Sequence, residues 1–267
     1  MRDDVEPGVE RDRAAIFFGV EASLPQKRTA GGSRFARTQN YRKKQAFLIS
    51  SIPMPVQTAP KMNPDHFGFT NKELRKLRSL KDPHGIQRFL DDMPYHLEDT
   101  AWSPRKVLAE GSSHCLEGAI FGAAALRVNG YPPLLLDFEA EHDTDHVLAI
   151  YRQDGCWGAV AKSNYTGCRW REPVYRTLRE LALSYFNIYF NLRRERTLRR
   201  YSLPVNLRRF DAQQWMTTDK PVWFIVYHLF DVKHYPLLTK SQEKRLHRVD
   251  DRLFQAECLG KAYKVRD

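Results

Sequence analysis

The segment GSSHCLEGAIFGAAALRVNG, residues 111–130, sets the strongest limit on what this chain folds into. Gly118, Ala119, Gly122 and Ala123 leave one side of it nearly bare of side chains. Such a helix has little to hold it in water and must lie close against another surface. Its small residues fit a sheet. The flanks mark its ends: Ser112 or Ser113 can cap the start, and Gly130 can stop it.

The segments before it read as helices. TNKELRKLRSL has Thr70 with Glu73 three residues on, a capping-box pattern. DPHGIQRFLDDMPYH reads as a second short helix, with Pro83 in its first turn. SPRKVLAEG starts on Ser103 and ends on Gly111. After Gly130 the texture changes. PPLLLDFEAE, HVLAIYRQ and CWGAVAKSNY are short apolar runs, and Asp154-Gly155 is a hairpin signal between the last two. An antiparallel sheet is expected. Beyond it, Leu178, Leu181, Tyr185 and Ile188 recur at helical spacing with arginines opposite. KPVWFIVYHLF is apolar on both faces and fits a buried strand or a buried helix, and TKSQEKRLHRVDDRLFQ reads as a polar terminal helix. The fold class is therefore α+β: a central helix on an antiparallel sheet, with helical N- and C-terminal extensions. Residues 1–61 are expected to be a flexible basic extension, and residues 62–267 the folded domain, with a core at about 104–166 and a helical part at 174–267.

Charge narrows the function classes. The net charge is +11, but residues 22–44 carry +7 and residues 193–209 carry +6. The basicity is local, so a uniformly basic nucleic-acid surface is not required. A nucleic-acid partner is not favoured, and an arginine-rich segment is most simply a solvated face. No apolar run is long enough to cross a membrane. Charges occupy the N-terminus where a secretory signal needs apolar residues, so a cytoplasmic protein with reduced thiols is expected. Cys115, Cys156, Cys168 and Cys258 make no CxxC pair. No cofactor is implied. His114, Cys115, His142 and His146 offer metal-ligand types, but their spacing matches no closed zinc site, so no metal is expected.

Cys115 stands at the start of the small-residue helix, and His146 opens the second strand. A helix N-terminus favours a thiolate, a histidine within reach takes the thiol proton, and a third polar group orients the ring. The plainer alternatives are a cysteine that fills space, a strand-edge histidine bonded to the neighbouring Asp-Thr-Asp, and Asn164 as a turn former.

The segments HCLEGAIFGAAALRVNGYPPLLLDF and DTDHVLAIYRQDGCWGAV resemble the transglutaminase-like superfamily, which has a papain-like core, and its bacterial members most closely. The likeness covers about residues 104–166. It implies a Cys115 nucleophile and a His146 base. Where the family usually has an Asp, about four residues past the strand's Trp, this chain has Ala161, and Asn164 follows as the candidate third residue. The implied activity is cysteine-dependent acyl transfer, by a peptidase, amidase or transglutaminase-type transferase acting on a peptide or amide. The alternative is a catalytically inactive binding protein of the same fold.

Overall fold

The computed structural model describes residues 67–262. The expectation for residues 1–61, a flexible basic extension, lies outside the described residues.

Among the described residues four helices come first: α1 Asn71–Ser79, α2 Pro83–Asp92, α3 Pro104–Glu110 and α4 Cys115–Val128. Each starts as local chemistry dictates. Thr70 and Glu73 make the reciprocal capping box. Asp82 caps α2, with Pro83 in its first turn. Gly111 ends α3 with φ +65°, a left-handed conformation that costs glycine little.

Strands β1 Leu134–Ala140, β2 His146–Gln153, β3 Cys156–Val160 and β4 Arg171–Tyr175 follow, then α5 Leu178–Phe186. The chain continues through β5 Leu198–Ser202, β6 Val205–Asn206, a 3-10 turn at Leu207–Gln213, α6 Trp223–Asp231 and β7 His234–Pro236. Two short helices, α7 Lys240–Glu243 and α8 Asp251–Glu257, complete it. The sheet has seven strands in the order β4-β3-β2-β1-β5-β7, with β6 also on β1, and every pairing is antiparallel. The class is α+β, as expected. The β2–β3 turn has positive φ at both Asp154 and Gly155, which matches its hairpin signal.

Alternation along the strands divides the core in two. Val147, Ala149 and Tyr151 of β2 join α1–α4 and α6 in one cluster. Leu148 and Ile150 join Leu181, Ala182 and Tyr185 of α5 in the other. Gly122 packs α4 against Ala149 and Val160, which face each other across β2 and β3. Gly118 lies on Lys162, just past β3. The bare side of α4 is where the sheet comes closest.

Several expectations for the C-terminal part change. The helical pattern from Leu178 stops at Phe186, and the arginine-rich continuation becomes β5. Pairing of β5 with β1 buries Leu198 and Ser202 there and outweighs local helical preference. The arginines are spent on partners rather than lining a helix face: Arg199 pairs with Glu141, Arg200 with Glu139 and Arg194 with Asp251, and Arg196 bonds the His247 carbonyl. The part at 174–267 is thus mixed rather than helical, and the terminal polar helix is broken into α7 and α8. KPVWFIVYHLF resolves as a helix, α6. Among the described residues, no helix is long and apolar enough to cross a membrane.

Candidate functional site

Helix α4 begins one residue later than its serines suggest. His114 is the N-cap, and Cys115 is the first helical residue. Ser113 is buried and bonds back to the Pro94 carbonyl through its own N–H, at 3.2 Å.

The start of α4 is organised around Glu117, which is fully buried. One carboxylate oxygen accepts from the Thr100 hydroxyl at 2.7 Å and the Trp102 N–H at 2.8 Å. The other faces His96 Nε2 at 2.7 Å and the His114 N–H at 3.5 Å. These donors hold the carboxyl below its ordinary range against the upward push of burial. The loop between α2 and α3 is therefore folded down over the end of α4. Lys162 fixes the near end of that loop, because its ammonium donates to the Leu90 carbonyl at 2.6 Å and to that of Met93. This is a cation at a helix C-terminus, the end that favours positive charge.

The loop carries Tyr95 to the thiol of Cys115, with which it shares a hydrogen bond. Burial pushes the Cys115 thiol up to about 12; Tyr95 and the helix amides pull it down and the Glu117 charge pushes it further up. The helix terminus acts in the expected direction, but the loss of solvent outweighs it.

His146 opens β2 as expected, and it is buried. Its Nε2 is 2.9 Å from the Cys168 carbonyl. A carbonyl only accepts, so Nε2 carries the proton and Nδ1 the lone pair. Burial pushes the imidazole down to about 4; the Cys168 carbonyl opposes this and the Arg171 charge adds to it. Tyr189 donates to the Thr144 carbonyl at 2.6 Å, and its ring lies 6.3 Å from that of His146. Its phenol is raised by burial and then by Asp143, Asp145, Cys168 and Cys115 around it. Tyr189 thus stands beside the His146 ring and also feels the Cys115 charge.

Asn164 does not orient the ring. Its Nδ2 donates to the Ala262 carbonyl at 2.9 Å, and its Oδ1 accepts the Ala262 N–H at 2.8 Å. The side chain is committed to the C-terminal segment, which also bonds Thr166 and Gly167 through Glu257. A backbone carbonyl, that of Cys168, takes the position expected of a third side chain.

The four suspected metal-ligand types do not form one cluster. His142 sits in a left-handed turn with φ +61°. Among the described residues, His96, His114 and Glu117 are the ligand-type group whose atoms lie within 4.8 Å of one another. Sequence reading passed over His96, Tyr95 and Lys162, which nothing in local spacing links to Cys115. Glu117 had a signal, an acid three residues after the N-cap.

Acid should test the buried imidazole. The folded His146 pKa of about 4 lies below the ordinary 6.5, so between these values the unfolded chain binds the extra proton. Stability therefore falls as pH drops through this window, by about 3 kcal/mol at 1.4 kcal/mol per unit. Urea unfolding at pH 7 and pH 4.5 should show a smaller acid loss in His146→Gln than in the parent. Equal losses would place the titrating group elsewhere.

Comparison with protein-family models finds no match to this chain, and comparison with curated proteins finds none either.

Proposed function

We propose that this chain is a transglutaminase-like domain with a papain-like core that performs cysteine-dependent acyl transfer on a peptide or amide. The observation that carries the reading is the hydrogen bond from His146 Nε2 to the Cys168 carbonyl. It fixes one tautomer and leaves Nδ1 to act as base, which is the task a third catalytic residue performs. Cys115 attacks the substrate carbonyl carbon and its proton passes to His146. The amine departs with that proton, and the acyl group remains on sulfur. Water or a second amine then releases it. The N–H groups at the start of α4 are suited to hold the oxyanion.

The burial of the thiol favours a second reading, a catalytically inactive protein of the same fold that binds a partner. Alkylation separates the two. Iodoacetamide at neutral pH, followed by peptide mapping, is expected to label Cys115 ahead of Cys168, with loss of the label in Cys115→Ser. Labelling of Cys115 only after denaturation would support the inactive reading.

A further inference from the structure

We propose that His96, His114 and Glu117 form a binding site for a divalent transition-metal ion of the zinc class, completed by water. The three side chains come from two segments, the loop after α2 and the first turn of α4. One ligand atom from each lies within 4.8 Å of the others. Two imidazoles and a carboxylate suit zinc and its neighbours better than magnesium or calcium, which prefer oxygen alone. Three protein ligands with one open position is a recurrent zinc arrangement.

The distances are close to what an ion needs. Metal–ligand bonds of about 2.0–2.2 Å in a tetrahedral site set neighbouring ligand atoms roughly 3.3–3.5 Å apart. His114 Nε2 already lies 3.4 Å from one Glu117 oxygen. His96 Nε2 lies 2.7 Å from the other, so this pair must open by less than about 1 Å. His96 Nδ1 accepts the Glu98 N–H at 3.3 Å, which makes the ring neutral with its proton on Nε2. On binding, the ion replaces that proton between His96 and Glu117. The proton moves to Nδ1, and the weak Glu98 bond is given up.

The surroundings already hold the ligands as an outer shell would. Thr100 and Trp102 donate to the carboxylate. His114 Nε2 donates to the Thr100 carbonyl at 2.9 Å, so on binding its proton moves to Nδ1 and the ion takes the place of that bond. The His96 and His114 rings meet edge to face at 4.9 Å. His114 and Glu117 are fully buried, while the His96 side chain retains some exposure and offers a way in. A bound ion would tie the loop to the helix that carries Cys115 without using the thiol.

The test uses the full chain, stripped with chelator and titrated with Co2+ and then Zn2+. One equivalent of Co2+ should give the visible bands of a four-coordinate N/O site, with no sulfur-to-cobalt charge-transfer band, and Zn2+ should displace it. His96→Ala should weaken binding at least 100-fold, and Cys115→Ser should leave it unchanged. Each variant is first matched to the parent by far-UV circular dichroism, with His96→Gln used where His96→Ala fails. Absence of stoichiometric binding, binding unaffected at His96, or a thiolate band that vanishes in Cys115→Ser would each overturn the proposal.

Discussion

Glu117→Ala is expected to remove about 3–5 kcal/mol of stability, the range for breaking one side of a buried charged network. The carboxylate is the common acceptor for the Thr100 hydroxyl, the Trp102 N–H and His96 Nε2. Alanine would leave all three donors facing a cavity that cannot replace water. Glu117→Gln keeps one acceptor and a similar volume, so its loss should be smaller. The loop from Met93 to Ser103 should also loosen, because these bonds hold it on α4. Urea denaturation gives the stability change, and limited proteolysis reports the loop. A Glu117→Ala protein within about 1 kcal/mol of the parent would mean that packing, not the carboxylate, holds the end of the helix.

Gly118→Val is expected to prevent the native fold. A Cβ at Gly118 would lie well inside contact distance of the Lys162 Cβ, which is fixed to its backbone and cannot swing away. Gly118→Ala adds the same atom alone and should cost about 1–3 kcal/mol as overpacking, or more, because Lys162 is itself tied to Leu90 and Met93. Helix α4 would have to lift from the sheet, and Cys115 would move with it. Thermal unfolding followed by circular dichroism checks both variants. Alanine tolerated without loss would show that helix and strand can slide apart here.

Sequence alone read the scaffold well wherever the signal was local. Thr70 with Glu73, Pro83, Ser103 with Gly111, and Asp154-Gly155 each mark an element boundary through contacts within a few residues. The small residues of α4 read correctly as a face for the sheet, and Gly118 and Gly122 are the points of closest approach. The reading failed after Phe186, where helical spacing continues in the residues but the pairing of β5 with β1 is decided over some sixty positions. The same limit applies to the site. Cys115 at a helix start and His146 at a strand start follow from order along the chain. Tyr95 on the thiol, Lys162 on the α2 carbonyls and Ala262 on Asn164 depend on distant segments. The Cys168 carbonyl lies beyond any search by residue type, because every residue has one.

The most direct test of the central claim is the rate at which Cys115 takes an acyl group from p-nitrophenyl acetate, followed by intact mass. The account predicts one acetyl per folded chain, on Cys115, formed at least about 100-fold faster in the parent than in His146→Ala, the lower end of what a positioned general base contributes. Asn164→Ala should leave that ratio intact, since its side chain serves Ala262 and not the imidazole. Equal rates in the parent and in a folded His146→Ala protein would contradict the account and leave Cys115 and His146 as parts of the core.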